Sequence, residues 1–220
     1  MMENIVFLCA HPDDFTACCG TALRMRKRFS LHLWDFTKGE RGLIEQGVSM
    51  EECAAMREKE EQRVASAVGA ELLFLGEIDG SSFAPESTCR NMADHLREIR
   101  PRAVFTHFVP DRHVDHIMTA AALFRALKIA RLAPEIYFFE FSHQSLGFQP
   151  THIVDISSVM EEKIRLIRMY ECQNADDGIV RNKIMTGRFR GQQILCEYAE
   201  AFQACGFRKD GAGCVLNELE

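Results

Sequence analysis

The apolar run Ile5-Val6-Phe7-Leu8-Cys9, followed at once by Ala10-His11-Pro12-Asp13-Asp14, constrains the fold of this chain most tightly. An unbroken apolar run of this kind reads as a buried strand. Two carboxylates and an imidazole then fall in the loop at its carboxyl end, where open α/β sheets bind their ligands. The expectation is that this loop holds half of a metal site.

The rest of the chain repeats the strand-then-helix order. Strands are expected at 4–9, 31–37, 71–75, 103–107, 135–141 and 152–156, the last at a sheet edge. The first helix, about 16–28, ends in a basic stretch that suits a helix C-terminus. Ser49-Met50-Glu51-Glu52 is a capping box opening a helix that runs to Val68 and stops at Gly69. Further helices are expected at 87–99, stopped by Pro101, and at 113–130, with Asp111 as candidate N-cap. A second capping box, Ser158-Val159-Met160-Glu161, opens a helix to about Cys172; 174–186 reads as a loop and 191–205 as the last helix. This alternation predicts an α/β fold, a Rossmann-like doubly wound, mostly parallel sheet with helices on both faces. No G-x-G-x-x-G follows the first strand, which removes the dinucleotide-binding reading.

Size and charge narrow the function classes. A chain of 220 residues fits a single domain, 1–205, followed by a loosely held tail, 206–220. A net charge of -6 implies no nucleic-acid or anionic-membrane partner. No apolar run reaches the ~20 residues of a membrane span, and the first ten residues lack the basic start of a signal peptide. A cytoplasmic location is therefore expected. The nine cysteines are dispersed without a C-x-x-C, so free thiols are expected.

A second cluster, Asp111-Arg112-His113-Val114-Asp115-His116, follows the fourth strand. The first and fourth strands of doubly wound sheets are often neighbours, so the two loops should face each other. His113 and His116, three apart, share one face of a helical first turn. The converging set His11, Asp13, Asp14, His113, Asp115 and His116 can supply the parts of a catalytic metal site. These are imidazole and carboxylate ligands, an unligated carboxylate as general base for a water, and a protonatable group for the leaving atom. Asp13 and Asp14 project differently, so one can ligate while the other stays free. The residues alone leave open which does so.

These motifs resemble those of the PIG-L/LmbE-type family of zinc-dependent N-acetylglucosaminyl deacetylases. The similarity continues in Thr37-Lys38-Gly39-Glu40-Arg41-Gly42, Arg57-x-x-Glu60, Leu75-Gly76-x-x-Asp79-Gly80, Cys172-Gln173 and Glu200-Ala201-Phe202, spanning about 4–202. The resemblance implies an LmbE-like deacetylase domain that removes the N-acetyl group from an N-acetylglucosamine-type sugar or conjugate. It implies His11, Asp14 and His116 as ligands to Zn2+ or another divalent metal, with Asp13 as general base. It gives His113, as an imidazolium, the oxyanion and the departing amine, and has Asp115 orient His113. Arg57 and Asp79 match positions that contact the sugar. The partner implied is a small amino-sugar conjugate, and the family suggests a homo-oligomer.

The chain departs from the family pattern at Phe15-Thr16, where an acidic residue is common, and at Cys18-Cys19-Gly20, which replaces a Gly-rich turn. Both put the substrate in question rather than the reaction. Other readings stand beside this one: an amidase for a larger amide conjugate, or a catalytically silent metal- or sugar-binding module. Taken singly, Arg57 reads as a partner of Glu60 or Glu61 on a solvated helix face, and Asp79 as a turn residue. His107 and His143 read as structural histidines after strands, and Glu200 as a tie between the last helix and the core.

Overall fold

A computed structural model describes residues 2–141, 145–205 and 214–219. Its centre is one seven-stranded sheet. The strands are β1 (Glu3–Cys9), β2 (Phe29–Thr37), β3 (Ala70–Glu77), β4 (Ala103–His107), β5 (Glu135–Phe139), β6 (His152–Asp155) and β7 (Ala199–Ala204). They lie in the order β3-β2-β1-β4-β5-β7-β6. β3, β2, β1, β4 and β5 run parallel; β7 is antiparallel to both β5 and β6. The sheet is thus mostly parallel, with β6 at one edge and β3 at the other.

β1 shows why an unbroken apolar run suits this position. Side chains alternate across the sheet. Ile5, Phe7 and Cys9 enter one core with Leu33, Phe105 and Phe202, while Val6 and Leu8 enter the other with Trp34, Val104 and Leu123. The helices α1 (Cys19–Met25), α2 (Met50–Val68) and α5 (Met160–Ile167) pack on the first face; α3 (Glu86–Ile99) and α4 (Val114–Ala130) pack on the second. Each large apolar side chain so enclosed contributes about 1.5–3 kcal/mol. The remaining helix, α6 (Gly178–Ile194), lies against β7.

The helix ends of α2 follow the sequence closely. Ser49 Oγ accepts from the Glu52 N–H at 3.3 Å, and Glu52 Oε2 accepts from the Ser49 N–H at 3.2 Å. Gly69 closes the helix at φ 74°, a left-handed conformation that favours glycine.

Elsewhere the structure corrects the sequence. The first helix is a 3-10 turn, Asp14–Ala17, followed by the short α1. Asp111 is not the N-cap of α4. His113 occupies that position, and Asp111 Oδ1 accepts the His113 N–H at 2.8 Å. The Ser158 capping box does not form, because a 3-10 turn at Ser157–Val159 precedes α5 and Asp155 accepts the Ser157 N–H. The 174–186 stretch is largely α6, and the expected last helix, 191–205, is the end of α6 followed by β7. Glu200 accordingly sits on a strand. Much of the expected loose tail, 206–213 and Glu220, lies outside the described residues, as does His143. Val215–Leu219, however, is a 3-10 helix whose Val215, Leu216 and Leu219 are buried in the core.

Candidate metal centre and catalytic cleft

The sheet order places the site. From β1 the chain passes to β2 on one side, while β4 lies on the other, so the loops after β1 and β4 meet at the switch point. The His11-Pro12-Asp13-Asp14 loop and the start of α4 together line a cavity of about 500 Å³. His11, Asp13, Asp14, Arg57, Asp79, His113 and His116 all contribute to its wall. Asp115 is fully buried behind it.

Asp14 is the hub. Its Oδ2 accepts the N–H groups of Ala10 and His11 at 3.1 and 2.8 Å. Around it stand His11 Nδ1 at 3.3 Å from Oδ2, and His116 Nε2 at 3.5 Å from Oδ1. The outer nitrogen of each imidazole meets a different carboxylate. His11 Nε2 lies 3.1 Å from Asp115 Oδ2, and His116 Nδ1 lies 3.2 Å from Asp111 Oδ1. Burial works against the imidazolium form of both rings, but the surrounding carboxylates outweigh it. His11 is raised well above its usual range by Asp115, Asp14 and Asp79, and His116 to about 9 by Asp14 and Asp111. Burial opposes the charge of Asp14 too, yet the neighbouring His116 and His107 hold its carboxyl well below the usual carboxylate range.

Among the described residues three overlapping groups could hold a divalent cation: His11 with His113 and His116, Asp14 with His107 and His116, and His11 with Asp79 and Asp115. Ligand atoms about 2.1 Å from a tetrahedral zinc stand about 3.4 Å apart; His11 Nδ1 stands 3.3 Å from Asp14 Oδ2, and His116 Nε2 stands 3.5 Å from the other oxygen, Oδ1. Each histidine turns one nitrogen inward and gives the other to a carboxylate, the arrangement that fixes metal-binding imidazoles. Cation binding would displace the protons on the inward nitrogens.

His107 is fully buried and stacks on His116, with ring centroids 3.9 Å apart. Its Nε2 accepts the Ala10 N–H at 2.9 Å, so that nitrogen is engaged by the backbone. Burial, then the His116 charge, lower its pKa to about 4. It braces the β1 loop.

Asp13 stands apart from the hub at a left-handed φ of 93°, a conformation that aspartate tolerates better than most residues. Its Oδ1 lies 2.5 Å from Arg57 Nη2. Burial is the main influence on Asp13 and raises it to about 6, against the opposing charge of Arg57. Arg57 is buried rather than on a solvated face, and it also donates to the carbonyls of Pro12 and, at 3.1 Å, Gly39. A side chain at Gly39 would run into this guanidinium, which explains the glycine there. Glu60 turns elsewhere, accepting the Cys172 N–H at 2.9 Å.

Asp79 faces His11 Nε2 at 3.3 Å and accepts the Arg41 N–H at 3.0 Å. Burial would raise its carboxyl, but His11 and the Arg41 N–H hold it below the usual range. Asp115 meets His113 only through the backbone, where the Asp115 N–H donates to His113 Nδ1 at 3.3 Å. Its carboxylate is taken by His11 and by the Gly80 N–H at 2.7 Å. The orientation expected for His113 therefore acts on His11 instead. With Nδ1 accepting, His113 carries its hydrogen on Nε2; burial lowers its pKa, and the His11 and His116 charges lower it further.

The departures also resolve. Phe15 is fully buried, edge-on to Phe7 at 5.3 Å, and Thr16 is the residue that reaches the cavity. Cys18 and Cys19 are buried, their thiols directed to the carbonyls of Phe15 and Thr16. Glu200 Oε1 and Oε2 accept the N–H groups of Gly20 and Thr21 at 2.8 and 2.7 Å, and Oε1 pairs with Lys163 at 2.6 Å. Sequence reasoning missed Asp111 as a partner of His116, because its place before a helix pointed to capping. It also missed Lys183, a cavity residue that fell in a stretch read as a loop.

Several known proteins share this frame. The chain is 27% identical over 188 residues to 4-oxalmesaconate hydratase of Pseudomonas putida, covering 76% of this chain and 72% of that protein. It is 26% identical over 201 residues to diacetylchitobiose deacetylase of Thermococcus kodakarensis, covering 80% and 72%. The solved N,N'-diacetylchitobiose deacetylase of Pyrococcus horikoshii superposes with a TM-score of 0.82 at 22% identity, over 92% of this chain and 84% of that one. The family model described as PIG-L, GlcNAc-PI de-N-acetylase, matches residues 6–127. That is more than half of the chain and includes both halves of the cleft, so the chain belongs to the PIG-L family.

Proposed function

We propose that this protein is a metal-dependent hydrolase that removes the N-acetyl group from an N-acetylglucosamine-type sugar or conjugate, releasing acetate. The observation that carries the reading is the pairing of two carboxylate-braced histidines around Asp14 with a separate carboxylate, Asp13, on the same cavity wall. His11, Asp14 and His116 would hold the metal, with zinc the ion that suits this donor set. When bound, the metal supplies Lewis acidity to the amide carbonyl and to the attacking water.

The chain's own groups do the rest. Asp13 takes the proton of the attacking water and passes it to the departing nitrogen, a task suited to a carboxyl raised toward neutrality. Arg57 fixes the Asp13 carboxylate. His113 offers Nε2–H to the oxyanion as a neutral donor, the direction set by the N–H that its Nδ1 accepts. Asp115 and Asp111 orient His11 and His116. Asp79, beside His11 on the wall, would meet a sugar hydroxyl. A base held apart from the ligand set speaks against a silent binding module. The homo-oligomer has support in the outward apolar side chains Met185 and Phe189 of α6. Among the described residues no helix is long and apolar enough to cross a membrane, which is compatible with a cytoplasmic enzyme.

A second reading, addition of water to an unsaturated acid, is favoured by the identity to 4-oxalmesaconate hydratase. One experiment separates the two. The zinc-loaded protein is screened for acetate release over N-acetylglucosamine conjugates, and for loss of the conjugated chromophore of unsaturated dicarboxylic acids. Acetate release abolished by Asp13→Asn is expected. Hydration without any acetate release would overturn the deacetylase reading.

A further inference from the structure

The cavity runs along the carboxyl edge of the sheet, and the strand order fixes which residues stand where. Asp79 follows β3, and Arg57 comes from α2, where it holds the loop after β2. His11, Asp13 and Asp14 follow β1, and His113 and His116 stand at the start of α4, after β4. Phe141 follows β5, and Ile179 lies in the first turn of α6, the helix against β7. In the order β3-β2-β1-β4-β5-β7 the proposed metal ligands occupy the middle. Asp79 and Arg57 line the cavity on one side of them, Phe141 and Ile179 on the other.

The two ends differ in chemistry. The first offers a carboxylate and a guanidinium, which suit hydroxyl groups. At the second, Phe141 and Ile179 are the two large apolar side chains among the described residues of the lining. The Phe141 ring is held in place. Its centroid lies 5.1 Å from that of His116 and 5.7 Å from that of His107, and the Lys183 ammonium stands 4.4 Å from its centre. Its N–H donates to Ser145 Oγ at 2.9 Å, and its carbonyl accepts the Ser145 N–H at 2.8 Å. Ile179 lies one turn before Lys183, on the same face of α6.

In the proposed reaction the amide oxygen goes to His113, and the nitrogen leads back to the sugar beside Asp79. The methyl group then points the other way along the sheet, toward β5. We infer that Phe141 and Ile179 form the pocket for the acyl group and set the chain length that is removed, accepting acetyl and rejecting longer chains. The inference rests on the deacetylase reading. A methyl against this ring leaves water without taking a partner from any polar group. Each further methylene must displace a ring backed by two histidines, and a close-packed wall resists that.

The test compares the N-acetyl, N-propionyl and N-butyryl forms of glucosamine methyl glycoside on the zinc-loaded full chain. All three release the same amine, so one assay reads them. In wild type, kcat/KM should fall about tenfold or more from acetyl to butyryl. Phe141→Ala should shrink that ratio about tenfold or more while keeping its zinc, and Ile179→Ala should shift it in the same direction. If Phe141→Ala loses zinc, Ile179→Ala decides. Calorimetric binding of the acetyl and butyryl compounds to zinc-loaded Asp13→Asn, with and without Phe141→Ala, reads the pocket without turnover. No length preference in wild type, or the wild-type ratio kept in both variants, overturns the pocket. Amide cleavage without a length preference removes only the pocket. A binding preference for acetyl that Phe141→Ala abolishes, with no cleavage of any compound by wild type, removes only the deacetylase reading.

Discussion

Arg57 Nη2 lies 2.5 Å from Asp13 Oδ1, and the same guanidinium holds the carbonyls of Pro12 and Gly39. One side chain from α2 thus ties together the loops after β1 and β2 and orients the carboxylate that stands outside the ligand hub. Catalysis by a general base depends on geometry before acidity. Arg57 is therefore a positioning residue first, whatever else it meets in the cleft.

Asp13→Asn should keep the metal and lose about 10²–10⁴-fold in turnover, the usual span of a general base. Arg57→Lys should also keep the metal while lowering kcat more than it raises KM, because an ammonium cannot reproduce the planar fork. Metal analysis alongside acetate-release kinetics checks both. Full activity in Asp13→Asn would remove it as the base.

The pH profile follows from the same carboxyl. Burial pushes Asp13 up to about 6, so the ionised base appears as pH rises through that value. Burial, with the charges of His11 and His116, lowers His113, so it is already neutral above the same range. The rate should climb through about pH 6 and show no descending limb from His113 up to ~8. A bell that falls within that window would restore the imidazolium role that the family resemblance implies.

Asp111 reaches His116 Nδ1 at 3.2 Å. Asp111→Asn should weaken metal affinity by about 10–100-fold, as loss of an outer carboxylate does elsewhere. Competition with a graded series of chelators measures it. Unchanged affinity would reduce Asp111 to a support for the His113 N–H.

Stability should carry the mark of a buried acid. Burial pushes Glu61 up to about 8, against the pull of the neighbouring Tyr170 hydroxyl and the Arg57 charge. An unfolded chain releases that proton near pH ~4.3. Between these values the native state binds more protons than the unfolded state, so stability is lost as pH rises through the window. Glu61→Gln should raise Tm at pH 8 by several degrees, at about 2–4 °C per kcal/mol, and change it little at pH 4. An equal drop at both pH values would show a packing role instead.

The local signals in this sequence survived folding where they were self-contained. The Ser49–Glu52 capping box and Gly69 bound α2, and 103–107 is a strand to the residue, because those patterns are satisfied within a few positions. The two loop clusters were legible as partners because a doubly wound order forces them together at the switch point. The 174–205 stretch was not legible, because its structure is settled by distant partners. Gly191 is small because the backbone of Cys196 and Glu197 lies against it, and 199–204 is a strand because β5 and β6 pair with it. Spacing also could not assign the contacts inside the cleft. Asp115 and Asp111 each lie close to His113 in sequence, yet their carboxylates brace His11 and His116. The sequence by itself determined which residue types meet and on which frame. Only the tertiary structure decided which nitrogen faces which oxygen, because α4 meets the β1 loop from across the sheet and its rotation there sets every pairing.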